Sequence, residues 1–293
     1  MKVIIYGGQS QDGIYLNELL EKKGISVLKY SRNSPILPGD VSDLKFIEES
    51  IKKNNPDYIF HFAATSSTKH ETLFENHLSI STGTINILET VRKYSPHCKI
   101  FLAGSALQFE NSGTAIDESA PFKASSAYSV SRINSTLLGR YYREYFNLKV
   151  YIGFLFNHDS PYRSEKHINQ KIVKSVIRIA HGSNEKLIIG NVDVKKEFNY
   201  AGDIVEAIWT LVNQELYFEV VIGSGKVYTI KEWIEYCFNL CNINWLDHVT
   251  IDPSFVNSYE TLQSNPAKIF ELGWRPKVDF HTLAELMLRA GLK

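Results

Sequence analysis

A chain of 293 residues is long enough for one large α/β domain, or a domain with a lobe, and can bury a sizeable core unaided. Lysine plus arginine and aspartate plus glutamate balance at 32 each, so no field for a polyanion is implied, and nucleic acid and anionic membrane are poor partners. Three scattered cysteines, Cys98, Cys237 and Cys241, make neither a disulfide framework nor a zinc set, and no apolar run is long enough to span a bilayer.

The N-terminal Met1 to Tyr6 enters a strand directly, without a signal-peptide pattern, so a cytoplasmic chain is expected. Val3 to Tyr6 is a short apolar run ending in Gly7-Gly8, a buried strand into a turn. A helix follows through Ile14, Leu16, Leu19 and Leu20 and ends at Gly24. Val27 to Tyr30 reads as a second strand. Leu44, Ile47 and Ile51 mark a second helix, with Ser42 or Asp43 as N-cap. Tyr58 to Phe60, Ile100 to Ala103 and Val150 to Phe154 read as further strands. Helices are expected around Ile85 to Val91 and from Tyr128 towards Tyr145. This alternation predicts a Rossmann-type α/β fold, a doubly wound parallel sheet with helices on both faces. After Phe156 the pieces shorten, so residues 1–156 are read as a dinucleotide-binding domain. Residues 157–293 are read mainly as a smaller substrate lobe, with some segments returning to the sheet.

The turn Gly7-Gly8-Gln9-Ser10-Gln11-Asp12-Gly13 joins the first strand to the first helix, where glycines allow a pyrophosphate to approach a helix N-terminus. Its spacing is that of a GxxGxxG turn with Ser10 in the middle position. Glycine is also ordinary in such turns. The second strand ends in Ser31-Arg32-Asn33, with no acid for ribose hydroxyls. Arg32 can pair with a 2′-phosphate, which points to NADP, with NAD still open; Arg32 can equally be a solvated surface residue. Asp40 is a candidate for the adenine edge or a simple loop cap. Tyr128 and Arg132 are i and i+4 on one helix face, and Ser105 ends the fourth strand. A tyrosine that protonates a carbonyl oxygen, a serine that orients it and a cation that holds a ribose form an apparatus for hydride transfer to a sugar carbon. An exposed helical pair is the plainer alternative. No metal is expected.

These residues resemble the extended short-chain dehydrogenase/reductase family acting on nucleotide-linked sugars, over nearly the whole chain. Pro56 to Ala64 is similar to its third strand and cofactor-facing turn, which includes Ala63. Leu155-Phe156-Asn157-His158-Asp159-Ser160-Pro161 resembles the segment LFNHESP of GDP-mannose 4,6-dehydratases, and Gly190 to Tyr200 resembles GNLDAKRDWGY. Leu272 to Pro276 resembles a late LGWKP-like turn. Reductases of the GDP-linked 4-keto sugar are the other close subgroup. The resemblance implies that Asn157 and Lys171 face a nucleotide-sugar and Lys196 its diphosphate. It also implies a homodimer through helices around Leu88 to Tyr94 and Leu137 to Tyr145.

The departures matter as much. Lys196 stands where the family has arginine, so charge is kept but a bidentate grip is lost. Arg132 replaces the family's lysine. Leu107 stands where the dehydratases carry the glutamate that removes the C5 proton, and leucine cannot be a general base. Phe255-Val256 falls near an Arg-Pro pair of the family. The first reading is therefore 4-keto reduction or C4 oxidation of a GDP-linked sugar, with Ser105, Tyr128 and Arg132 as the catalytic set. A GDP-mannose-type 4,6-dehydratase is the alternative, and a catalytically impaired nucleotide-binding relative is the third reading.

Overall fold

The computed structural model describes residues 1–255 and 259–292. Six strands form one parallel sheet: β1 (Lys2–Tyr6), β2 (Ser26–Tyr30), β3 (Tyr58–His61), β4 (Lys99–Ser105), β5 (Val150–Leu155) and β6 (Glu219–Ile222). Their order across the sheet is β6-β5-β4-β3-β1-β2. The expected Rossmann-type sheet is therefore present, and the order in which the chain adds strands reverses between β1 and β3, where such sheets open a crevice. A further strand beyond β2 does not form. The segment after β2 makes only a single bridge, Ser31 to Pro38.

Alternation along the strands separates two cores. On one face Val3, Ile5, Phe60, Phe101 and Tyr151 pack against Leu16 and Leu20 of helix Gln11–Lys22 and Ile204, Ile208 and Leu211 of helix Ala201–Val212. On the other, Ile4, Tyr6, Ile59, Ile100, Leu102 and Ile152 pack against helices Leu44–Asn54, Gly83–Tyr94 and Ala127–Phe146. Period-two side-chain placement on a sheet covered on both faces produces this division. The second helix is capped by Asp43, whose Oδ1 accepts from Lys45 N and Phe46 N at 2.9 and 3.3 Å.

The later part builds a third core around Trp233, enclosed by helices Ile168–Ala180, Ile230–Asn239 and Phe280–Leu292. A small sheet orders Val227–Thr229, Lys195–Glu197 and Thr261–Leu262. Helix Ala201–Val212 packs on the main sheet and β6 forms its edge strand. His158–Asp159 pairs with Asn199–Tyr200, which ties the end of β5 to this region. No helix of the described residues is long and apolar enough to cross a membrane.

Candidate active site

The turn after β1 meets the turn after β3 at the crevice. Gly7 has φ +87°, and a Cβ built there would lie 2.5 Å from Ala63 N, so the two turns touch only because residue 7 is glycine. Gly13 is equally constrained, with a built Cβ 2.6 Å from the Gly7 carbonyl oxygen. Ser10 is the N-cap of helix Gln11–Lys22, and its Oγ accepts from Gly13 N at 3.1 Å. Among the described residues, the backbone N–H groups of Gln11 and Asp12 have no acceptor. A phosphate would supply one. Gly7, Ser10, Arg32, Asp40, Ala63 and Ala64 line a cleft of about 240 Å³. The cleft runs from the helix N-terminus to the end of β2, so the residues present fit a dinucleotide.

Within that cleft Arg32 is exposed and makes no ion pair among the described residues. Asp40 takes up its capping role: Oδ1 accepts from both Ser42 N and Ser42 Oγ, at 2.9 and 2.8 Å. Gln11 and Asp12 belong to the turn taken as cofactor-binding, and their side chains turn to the segment after β5. Gln11 Nε2 donates to the His158 carbonyl at 3.1 Å, and Ser160 Oγ donates to Gln11 Oε1 at 2.9 Å. Asp12 Oδ1 lies 3.0 Å from His158 Nε2. Only their backbone N–H groups remain for a phosphate, because burial demands partners for both side chains.

His158 Nδ1 lies 2.7 Å from the Phe156 carbonyl, which can only accept. Both ring nitrogens therefore donate, and His158 is an imidazolium against the Asp12 carboxylate. Burial alone would lower the His158 pKa, but Asp12 outweighs it and the net shift is upward. Burial alone would raise Asp12, but His158 outweighs it, with Arg163 and Arg132 adding, and the net shift is downward.

The tyrosine helix begins at a reciprocal cap: Ser126 Oγ accepts from Ser129 N, and Ser129 Oγ accepts from Ser126 N at 2.8 Å. Gly139 lets it lie against β4, since a built Cβ would sit 3.0 Å from Leu102 Cδ1. Tyr128 stands in its first turn. Arg132, 4% exposed, donates from Nε to the Tyr128 phenol oxygen at 3.1 Å and from Nη1 to the Ala103 carbonyl. That second bond ties the pair to β4 two residues before Ser105. His61, at the end of β3, is buried beside them. Burial and the Arg132 charge hold its pKa down at about 3, so it is neutral.

Ser105 is held at the end of β4 by its neighbours. Its backbone N–H donates to Gln108 Oε1 at 2.9 Å, its Oγ accepts from Leu107 N at 3.2 Å, and Gln108 Nε2 donates to Thr136 Oγ1 at 3.0 Å. The Ser105 proton remains available for a substrate oxygen. Leu107 packs against the apolar core. Gln108 is a functional support the site reading missed; the S-x-x-Q spacing of Ser105 and Gln108 is a capping-box signature that reveals it.

Opposite the dinucleotide cleft, the Asn157 carbonyl accepts from Asn199 N and Nδ2, while its Oδ1 is buried with no hydrogen-bond partner assigned among the described residues. Lys196 is 4% exposed, in the small sheet opposite Tyr228 and Leu262. Burial pulls its pKa down to about 8, with Asp159 opposing and Arg163 adding. The Lys171 Nζ donates to the Ile188 carbonyl at 2.8 Å. Phe255 lies against Gly190, and Val256 falls outside the described residues.

The family model for GDP-mannose 4,6 dehydratase matches residues 4–287. This chain belongs to that family. GDP-mannose 4,6 dehydratase 1 of Arabidopsis thaliana is 30% identical over 322 residues, covering 99% of this chain and 89% of the relative. The Homo sapiens GDP-mannose 4,6 dehydratase is 27% identical over 338 residues, covering 99% and 91%. Among solved structures, UDP-glucose 4-epimerase of Thermus thermophilus, in complex with NAD, aligns with a TM-score of 0.87 at 23% identity over 99% of both chains. RMD from Pseudomonas aeruginosa, complexed with NADPH, gives 0.88 at 17% identity over 99% of this chain and 98% of its own. At these identities the two structures establish the fold. The resemblance to the extended dehydrogenase/reductase family is thereby borne out. The order of the catalytic readings is not: the relatives favour the dehydratase over the stand-alone 4-keto reductase.

Proposed function

We propose that this chain is an NADP(H)-using enzyme of GDP-linked hexoses, with 4,6-dehydration as the reaction its kinship supports best. The family match across residues 4–287, together with Ser105 at the end of β4 and Tyr128 in the first turn of helix Ala127–Phe146, carries this reading. Residues 1–156 form the dinucleotide half, and 157–293 mainly the nucleotide-sugar half. A bound nicotinamide dinucleotide would supply the hydride acceptor and donor. Tyr128 takes or returns the proton at the sugar C4 oxygen. Ser105 donates its free hydroxyl proton to that oxygen and orients it. Arg132 donates to the phenol oxygen and remains charged throughout, so it stabilises negative charge there without relaying a proton. Lys196 offers its charge to the diphosphate.

Leu107 is the specific observation behind a second reading, oxidation or reduction at C4 alone, because dehydration also needs a base at C5. The test is incubation of GDP-mannose with NADP, followed by mass spectrometry. Loss of 18 Da from the sugar nucleotide with no net consumption of dinucleotide supports dehydration. Dinucleotide consumed in step with substrate supports C4 redox chemistry alone. Neither change, with both ligands bound, leaves a binding protein and refutes catalysis. Tyr128→Phe should lower any turnover severely, and Leu107→Glu should raise dehydration.

The helix Ala127–Phe146 turns Val130, Leu137, Tyr141 and Tyr145 outward, and Ile85 and Tyr94 of helix Gly83–Tyr94 are likewise exposed. The exposed apolar side chains along helix Ala127–Phe146 support a homodimer built on that helix. A monomeric mass by light scattering at micromolar concentration would refute it.

A further inference from the structure

The buried pair Asp12–His158 joins residues 146 apart in sequence, one on the phosphate-facing helix and one beside Asn157. It is not isolated. Gln11 makes two more side-chain bonds to the same segment, at His158 O and Ser160 Oγ. Further along the same helix, the Tyr15 ring packs tilted against Tyr162 and edge-to-face against Tyr200, with ring centroids 5.4 and 5.3 Å apart. On the far side, the Asn157 carbonyl holds Asn199, which follows the strand carrying Lys196. One continuous set of polar contacts thus runs from the N–H groups that would meet a pyrophosphate to the groups that would meet a sugar nucleotide.

We propose that Asp12 and His158 are positioning residues that couple the two ligand sites, so that dinucleotide and nucleotide-sugar each tighten the other's binding. This rests on the functional reading given above. The physical basis is ordering. A ligand that fixes the first turn of helix Gln11–Lys22 also fixes residues 156–160 through the pair, so the second ligand finds its contacts already set. Phosphate charge placed beside Asp12 also strengthens the hold of His158 on its second proton. Linkage makes the effect reciprocal.

Calorimetric titrations of NADPH with and without saturating GDP, and of GDP with and without NADPH, test this without turnover. The wild type should show the same coupling factor both ways, about 5-fold or more, as linked sites typically do. In Asp12→Asn and in His158→Gln the factor should fall to within about 2-fold of unity, while binding of GDP alone changes little. A merely structural role would lower thermal stability yet leave the factor intact, and that result overturns the proposal. If the variants do not fold, the wild type decides alone: a factor of unity with both ligands bound overturns the coupling and spares the functional reading. Failure of the wild type to bind either ligand removes both.

Discussion

Arg132→Lys restores the cation that the family carries, and the structure indicates that it will destabilise the protein. The guanidinium uses two diverging donors, Nε to the Tyr128 phenol oxygen at 3.1 Å and Nη1 to the Ala103 carbonyl, in a site that is 4% exposed. A single ammonium cannot hold both acceptors in the same geometry. One charged hydrogen bond is lost or stretched, worth about 1.5–3 kcal/mol, and the more strongly hydrated ammonium gains nothing from burial. For a chain of this order of size, roughly 2–4 °C in Tm follows each kcal/mol, so a fall of several degrees is expected. Denaturant unfolding should show a lower midpoint with an unchanged slope. A Tm equal to or above that of the wild type would refute the view that Arg132 bridges helix and sheet.

Further outcomes follow from other parts of the site. Replacing Arg32 by aspartate should shift dinucleotide preference from NADP to NAD by more than about tenfold in fluorescence titrations, with stability changed by less than about 0.5 kcal/mol because the side chain is exposed; an unchanged preference removes Arg32 from the cofactor site. Lys196 is depressed to about 8, so a bound diphosphate would return its proton, and GDP affinity should fall as pH rises above about 8. In the free protein the unfolded lysine holds more protons between that value and 10.5, so this group makes stability rise with pH over the same window. Calorimetry in buffers of different ionisation enthalpy should detect the proton uptake, and a pH-independent affinity from 7 to 9.5 would contradict it. Gly7→Ala forces a positive φ and a Cβ onto the Ala63 backbone, costing more than the about 1–2 kcal/mol of the left-handed conformation alone; an unaltered melting curve would show that the two turns are not in contact.

The fold was legible because its signals are local. Val3 to Tyr6 with Gly7-Gly8 announces a strand and its turn, and the i, i+4 spacing of Tyr128 and Arg132 places both on one face. Asp40 was readable as either adenine contact or cap, and its two bonds to Ser42 show the cap. What could not be read depended on distant partners. Nothing near Asp12 announces His158, and nothing near Lys171 announces the Ile188 carbonyl. The matched segment identified Asn157 by position, but the bond that orients its backbone comes from Asn199, set by the pairing of two short strands.

The missing strand beyond β2 has a consequence for the history of this enzyme. Residues 32–40 carry Arg32 and Asp40, yet they contribute a single bridge to the sheet, and Ile36 in their midst is 84% exposed. On the proposed role of Arg32, the choice between two dinucleotides would rest on a surface loop rather than on a sheet strand. Substitutions and small insertions there would leave the cores intact, so under that proposal cofactor preference is free to drift, while Ser105 and Tyr128, braced by Gln108 and Arg132, are not.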